Sequence, residues 1–193
     1  MNPLKLQVII SSVRQNRFGD KPALWIAALA KEASFEAELV DLKDYPLPDY
    51  NEKGSPNSLN GKLENPVGMQ WGAKIAGADA YIIVTPEYNH GYPGSLKNAL
   101  DWTYASWNNK PVAFVAYGTL GGARAVEQIR AVVAELQMAD IRNAVHITRP
   151  WELQDAGGAL KPGALDMYAD AAKALLGQLE WWGRALKVAR EAK

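Results

Sequence analysis

The segment SSVRQNRFGD, residues 11–20, places two serine hydroxyls beside two arginines that are three residues apart. Hydroxyl groups donate hydrogen bonds, and a guanidinium group can contact two phosphate oxygens at once. The candidate donors are Ser11, Ser12, Arg14 and Arg17. Neither the GxxxxGKS/T motif nor the GxGxxG motif is present, so the segment predicts a phosphate site of another kind. The alternative is a solvated surface turn with two exposed arginines.

A second segment, PEYNHGYPG, begins at Pro86 and stands between an apolar run and a helical pattern. Pro86 stiffens the chain, while Asn89 and Gly91 permit backbone dihedrals that other residues avoid. Such a loop can point its own N–H and C=O groups at the edge of a planar heterocycle, and Tyr88 can supply a flat apolar face. The alternative is a helix-entry turn whose tyrosines only pack. His90 suits a structural role as well as a catalytic one.

A third segment, YGTLGGARA, contains three glycines, Gly118, Gly121 and Gly122. Glycine lets the backbone approach a ligand closely because it has no side chain. The alternative is a flexible turn without a ligand.

The elements that position these segments are short β-rich runs that alternate with longer helical patterns. The predicted strands are 6–10, 36–42, 81–84, 112–117 and 141–147. The predicted helices are 22–33, 67–78, 93–106, 123–138 and 165–188. This alternation indicates a parallel sheet with helices on both faces. We therefore predict one α/β domain over residues 1–193, a flavodoxin-like three-layer sandwich whose five-stranded parallel sheet has the order 2-1-3-4-5.

In sheets of this order, ligands bind beyond the carboxyl ends of the strands, where the strand order reverses. The three segments follow the first, third and fourth predicted strands, so all of them lie at that edge. Together they indicate a phosphate beside the first segment and a planar polar ring between the other two. FMN has this form.

The composition excludes several classes of protein. The chain has 193 residues, 21 basic and 21 acidic side chains, two histidines and no cysteine. Disulfides, thiolate nucleophiles, Fe–S clusters and cysteine-based zinc sites are excluded. Without a basic stripe we expect no nucleic-acid partner, and without about 20 consecutive apolar residues we expect no membrane partner. The N-terminal apolar stretch is too short for a signal peptide, so we expect a cytoplasmic protein.

Three segments resemble the NADPH-dependent FMN reductases, which include NAD(P)H:quinone reductases and azoreductases. They are PEYNHGYPGSLKNALDW, YGTLGGARA and DLKDYPLPDYNE, and the likeness runs from the first strand to at least Arg130. For the FMN phosphate the resemblance implies Ser12, Arg14 and Arg17. For the isoalloxazine it implies contacts, largely through backbone, from Pro86, Glu87, Tyr88 and Asn89. For the pyrimidine end of the ring it implies Gly118, Gly121 and Gly122.

One residue departs from the family pattern. The family begins its phosphate loop with Gly-Ser, whereas Ser11 precedes Ser12 in this chain. We expect the added side chain to alter the tight turn and to weaken the affinity for phosphate.

The resemblance implies hydride transfer from NADPH or NADH to N5 of FMN, followed by two-electron reduction of a quinone, an azo compound or free flavin. It names no catalytic side chain. It also implies a homodimer or homotetramer, with residues 45–52 and four tryptophans as candidate interface: Trp102, Trp107, Trp181 and Trp182. The alternative is that these residues belong to the ordinary core, and for Trp102 packing is the favoured interpretation. Two other functions stay open from the residues, namely a flavodoxin-type electron carrier and a flavin-free regulatory or scaffold protein.

Overall fold

The computed structural model of the protein describes residues 2–33, 35–59 and 61–192. Its sheet has the predicted strand order. The strands are β1 (Leu4–Ile10), β2 (Phe35–Asp41), β3 (Ala80–Pro86), β4 (Pro111–Gly118) and β5 (Ala139–Thr148). Their order is β2-β1-β3-β4-β5 and every neighbouring pair is parallel. The prediction of a five-stranded, flavodoxin-like parallel sheet is confirmed.

The helices connect these strands in chain order. They are α1 (Asp20–Glu32), α2 (Pro56–Leu59), α3 (Pro66–Ala76), α4 (Gly94–Asp101), α5 (Ala123–Glu135) and α6 (Ala169–Glu191). The start of α3 follows local rules, because the Asn65 side chain accepts hydrogen bonds from the Val67 and Gly68 N–H groups. Pro66 occupies the first helical position, where a missing N–H has no cost.

Most predicted helix boundaries lie within three residues of those in the structure, and two differ by four residues or more. Side-chain hydrogen bonds account for one of these two. Helix α4 ends at Asp101 instead of residue 106, because the next residues form a turn. In that turn Thr103 donates to the Ser106 hydroxyl, and Ser106 donates to the Gly72 carbonyl of α3. Helix α6 begins at Ala169 instead of residue 165, after a short 3-10 turn over Asp166–Tyr168.

Apolar side chains fill the space on both faces of the sheet. On one face Leu6, Val8 and Ile10 of β1 pack in the cluster that also contains the buried side of α1 and α6. On the other face Ile9 joins the cluster formed with α3, α4 and α5. Alternate residues of one strand thus enter two cores, which is why the central strands read as continuously apolar.

The tryptophans divide between these cores and the surface. Trp102 and Trp107 are fully buried in the second core, so of the two alternatives for them the structure supports core packing over an interface. Trp181 is exposed on α6, with its ring at 5.2 Å from that of Trp182. Among the described residues, no helix has the length and apolar character that crossing a membrane requires.

Candidate functional site

The loop after β1 continues the sheet for one residue and then turns away. The Ser11 N–H donates to the Val84 carbonyl at 3.1 Å, and the Ser95 hydroxyl donates to the Ser11 carbonyl at 2.7 Å. Ser11 is absent from the residues with positive φ, so its Cβ fits the backbone that the turn adopts. The expected distortion of the turn is therefore not seen, while a weaker affinity for phosphate stays a prediction.

This loop contains many donors that the protein leaves unpaired. The backbone N–H groups of residues 12, 13 and 15–18 donate to no acceptor in the described part of the chain. The buried Ser11 hydroxyl also lacks a hydrogen-bond partner there. Residues 11, 12, 17 and 18 are buried, whereas residues 13–16 are exposed to water. Buried polar groups are normally paired, so the free donors of the buried residues indicate a site for an anion, and the exposed N–H groups beside them can add to it.

The two arginines of the loop occupy different environments. Arg14 is exposed, and its guanidinium carbon is 6.0 Å from the centroid of the Tyr88 ring. Arg17 is 5% exposed and forms ion pairs with Asp20 and Asp41. Burial alone would raise the pKa of the Asp41 carboxyl, but the Arg17 hydrogen bond and charge outweigh it and hold that pKa below its ordinary value.

The loop after β3 is a tight hairpin. Tyr88 and Gly91 exchange two backbone hydrogen bonds, of 2.8 and 2.9 Å, and the residues between them, Asn89 and His90, both have positive φ. This geometry confirms the unusual dihedrals expected at Asn89, but it places the second positive φ at His90 and not at Gly91. The Tyr88 and Ser12 hydroxyl oxygens are 2.7 Å apart, within hydrogen-bond distance. The first and second loops are thus directly connected.

Glu87 connects the second loop to the third. Its side chain is 5% exposed, and its carboxylate accepts from the Arg124 backbone N–H at 3.1 Å and from Arg124 Nε at 2.6 Å. Burial would raise the pKa of Glu87, but the Arg124 contacts outweigh burial and lower it. Arg124 Nη1 is also 2.8 Å from His90 Nε2, and this ring nitrogen must accept because a guanidinium can only donate.

The glycines after β4 are required by contacts with the protein itself. Gly121 and Gly122 have φ of 67° and 73°, a conformation that residues with a Cβ rarely adopt. A Cβ on Gly121 would lie 2.8 Å from the His146 Cβ, and one on Gly122 would lie 2.7 Å from the Ala116 Cβ. The His146 Nδ1–H donates to the Gly121 carbonyl at 2.9 Å. The proximity of these glycines to a ring stays a prediction.

Sequence reasoning missed three polar residues that shape the site. They are Asp41, Ser95 and Arg124. All of them act through contacts between distant segments, and no local pattern marks such partners. One weak indication was available, since Arg124 begins a helix immediately after a glycine turn.

A parallel sheet of order 2-1-3-4-5, with a loop of free donors after β1 and two further loops joined to it at the same edge, is typical of the mononucleotide-binding α/β proteins. The model of the family described as NADPH-dependent FMN reductase matches residues 4–152. This chain belongs to that family.

Individual relatives agree with this assignment. The chain is 43% identical over 135 residues to an NAD(P)H-dependent FMN reductase of Schizosaccharomyces pombe, an alignment that covers 69% of this chain and 68% of the relative. It is 35% identical to a 2-hydroxy-1,4-benzoquinone reductase of a Burkholderia species, covering 70% of this chain and 73% of that protein. A solved structure of a flavoenzyme NAD(P)H:(acceptor) oxidoreductase from Paracoccus denitrificans superposes with a TM-score of 0.69 at 25% identity. The superposition covers 92% of this chain and 97% of that chain.

Proposed function

We propose that this protein is an FMN-dependent NAD(P)H oxidoreductase that passes two electrons to a small acceptor, either a quinone, an azo compound or free flavin. The observation that carries the proposal is the connection of the three loops. The Ser12–Tyr88 contact and the Glu87–Arg124 ion pair join them into one cradle at the switch point of the sheet. The family of the chain and its reductase relatives support the same function.

The residues present suit the phosphate end of FMN. The free N–H groups of residues 12, 13 and 15–18 and the unpaired Ser11 hydroxyl supply neutral donors. The exposed Arg14 guanidinium has no ion pair with any described residue. A phosphate dianion needs both neutral donors and a cation, and this loop provides both.

The second and third loops suit the ring. The N–H groups of Thr119, Leu120 and Gly122 donate to no acceptor among the described residues, so they are free to stabilise negative charge on the pyrimidine end of a flavin. Pro86, Glu87, Tyr88 and Asn89 would border the ring mainly through their backbone. When bound, FMN supplies the two-electron chemistry, and no protein side chain needs to act as acid or base in the first half-reaction.

The identity of the acceptor rests on the relatives. A 2-hydroxy-1,4-benzoquinone reductase among them favours a quinone for this chain. A flavodoxin-type electron carrier is the alternative function, and it would bind FMN without oxidising NAD(P)H by itself. The balance of 21 basic and 21 acidic side chains argues against it, because such carriers present an acidic docking face.

We also infer a single FMN-binding domain that assembles as a homodimer or homotetramer. Three loops at the carboxyl edge of the sheet expose large apolar side chains, Val13, Leu120 and Trp151, and this exposed apolar surface supports contact with a second copy. A cytoplasmic location is inferred from the NAD(P)H that the reaction consumes, since that reductant is an intracellular metabolite.

The test follows the visible absorbance of the purified protein mixed with FMN under anaerobic conditions. Complete bleaching by NADPH or NADH, reversed by added quinone, is the expected result. Bound flavin that neither nucleotide reduces would identify a carrier. If FMN does not bind and free flavin is not reduced either, the protein is not a flavin reductase.

A further inference from the structure

We propose that Arg17 is a positioning residue of the phosphate loop and does not contact the phosphate, so that Arg14 alone supplies the cation. The proposal rests on the proposed function, because the phosphate concerned is that of FMN. The proposal gives Arg14 and Arg17 different roles, although the sequence alone presents both as phosphate ligands.

Four of the five N–H groups of the Arg17 guanidinium donate hydrogen bonds within the protein, and the fifth, on Nη2, lies in the ion pair with Asp20. A guanidinium has five N–H groups. Nε donates to Asp20 Oδ1 at 2.6 Å, and Nη1 donates to Asp41 Oδ1 at 2.7 Å and to the Ser12 carbonyl at 2.5 Å. Nη2 donates to Asp41 Oδ2 and is 2.6 Å from Asp20 Oδ1. No donor is left for a phosphate oxygen unless one of these contacts breaks.

The charges around Arg17 also disfavour an incoming anion. One guanidinium faces two carboxylates, those of Asp20 and Asp41, so the cluster carries a net negative charge. The Arg17 side chain is 4% exposed and the Asp41 side chain 23% exposed, which limits screening by water. Turning Arg17 toward a phosphate would leave the partly buried Asp41 carboxylate without its cation, which is strongly unfavourable. The Asp20 carboxylate is 47% exposed, so water would hydrate it and the loss of its cation would cost less.

The contact between Arg17 and the Ser12 carbonyl explains what the residue does. Ser95 holds the Ser11 carbonyl, and Arg17 holds the next carbonyl, that of Ser12. Two successive carbonyl oxygens, which would repel a phosphate, are thereby fixed on protein donors. The N–H groups of the same loop stay free. Arg17 therefore preorganises the neutral part of the anion site from outside it.

Arg14 has the opposite properties. It is exposed, forms no ion pair within the described residues, and lies next to Tyr88, whose hydroxyl contacts Ser12. Its donors are available to a ligand bound at the loop. The structure thus assigns charge neutralisation to Arg14 and loop geometry to Arg17.

Conservative substitutions separate these two roles. Arg14→Ala, Arg14→Lys, Arg17→Ala and Arg17→Lys are compared by flavin fluorescence titration with FMN and with riboflavin, which lacks the phosphate. The ratio of the two affinities measures recognition of the phosphate. Arg142→Ala is the control, because Arg142 is exposed on β5 and its side chain has no ion pair within the described residues.

We expect Arg14→Ala to lower the ratio at least tenfold, and Arg14→Lys to retain most of it because an ammonium still neutralises phosphate. Arg17→Lys should lower the affinity ratio as much as Arg17→Ala does. A single ammonium group cannot replace a guanidinium that contacts Ser12, Asp20 and Asp41 at the same time. Arg17→Lys that retains the ratio of the unsubstituted protein would overturn the proposal.

A second measurement needs no variant and therefore does not depend on whether the Arg17 variants fold. Nitrogen-15 NMR follows the Arg Nε–Hε resonances of the unsubstituted protein titrated with FMN or riboflavin. The Arg14 resonance should shift with FMN only, and the Arg17 resonance should respond equally to both. An Arg17 response specific to FMN contradicts this inference alone, whereas absence of saturable FMN binding also contradicts the proposed function.

Discussion

The two ends of the sheet treat their polar groups in opposite ways. At the amino end, the Lys110 ammonium is 7% exposed and donates to the Ile75 and Ala76 carbonyls and to the Tyr81 hydroxyl. Burial lowers the pKa of Lys110 to about 8. At the same end, the Asp79 carboxylate accepts from Lys187, Arg190 and the Lys5 N–H.

At the carboxyl end, by contrast, backbone N–H groups of two loops and the Ser11 hydroxyl have no partner among the described residues. The amino end also has two buried atoms without a partner among the described residues, Trp107 Nε1 and Asp140 Oδ1. Its ammonium, guanidinium and Asp79 carboxylate groups are nevertheless paired within the protein, whereas the run of free backbone N–H groups lies at the carboxyl end, where we expect the ligand. Substitutions at the amino end should change stability and spare flavin binding. Substitutions at the carboxyl end should change binding, except where the same residue also holds two loops together.

The largest effect is expected at Gly121, because a substitution there should change both the stability of the fold and the binding of flavin. Gly121→Val places a β-branched residue at φ of 67° and its Cβ 2.8 Å from that of His146. Strain and overpacking together should cost about 3 kcal/mol of unfolding free energy or more and abolish flavin binding. Urea unfolding and FMN titration measure the two effects. The matched control is Gly94→Ala, whose Cβ would meet nothing within 4 Å. A Gly121→Val protein with unchanged stability and flavin content would show that the loop is misplaced.

Asp79→Asn tests the amino end. It leaves the cations of Lys187 and Arg190 without a carboxylate and should lower the unfolding free energy by about 2–3 kcal/mol at pH 7. The affinity for FMN should not change. A flavin affinity that fell together with stability would break the division between the two ends.

The effect at Asp79 should depend on pH. Burial would raise the pKa of Asp79, but the Lys187 and Lys5 hydrogen bonds outweigh it and lower that pKa in the folded state. A carboxyl with a lowered folded-state pKa stabilises the fold above its unfolded pKa of about 3.9, and this contribution is lost as pH falls through the folded value. Urea titrations of both proteins at pH 7 and pH 3 should therefore show a difference at pH 7 that shrinks at pH 3.

Tyr88→Phe removes only the hydroxyl that contacts Ser12 at 2.7 Å. The loss of one hydrogen bond between two loops should cost about 0.5–1.5 kcal/mol in stability and lower the affinity for FMN by about tenfold or less. FMN and riboflavin should be affected alike, because the ring loop moves in both cases. A loss confined to FMN would instead make the Tyr88 hydroxyl a phosphate ligand.

The smallest effect is expected for the exposed pair on α4. Lys97 Nζ is 2.5 Å from Asp101 Oδ2, and both side chains are more than a third exposed. Such a pair four residues apart contributes about 0.3–0.5 kcal/mol. Asp101→Asn should therefore change neither stability nor flavin binding beyond that amount, as thermal unfolding and titration will show.

The sequence was sufficient for those parts of the structure that depend on local pattern. The continuous apolar runs of β3 and β4 reflect burial on both faces, and the spacing of elements then determined the sheet order. The positions of the three loops followed from that order. Their hydrogen bonds did not, because the partners are distant in sequence. Arg17 and Asp41 are separated by 24 residues, and Glu87 and Arg124 by 37.

The end of α4 shows the same limit within one element. The predicted helix extends through residues 102–106, although only Ala105 among them is a strong helix former. In the structure Thr103 and Ser106 hydrogen-bond to each other, and Ser106 also donates to Gly72 of α3. Helix propensity is weak compared with such tertiary contacts. A sequence pattern therefore predicts which residues reach a site more reliably than it predicts what they contact there.

The buried Glu87 carboxylate has a consequence for cofactor exchange. It already accepts from the amino-terminal N–H of Arg124 in α5, a helix whose own N-cap residue, Gly122, provides no side-chain hydrogen bond. The positive end of that helix dipole is thus neutralised from within the protein. The protein would therefore recognise the phosphate of a flavin by its charge, and the ring of the flavin mainly by its shape. Synthetic flavins with altered neutral rings but an intact phosphate should therefore exchange into this protein more readily than dephosphorylated natural ones.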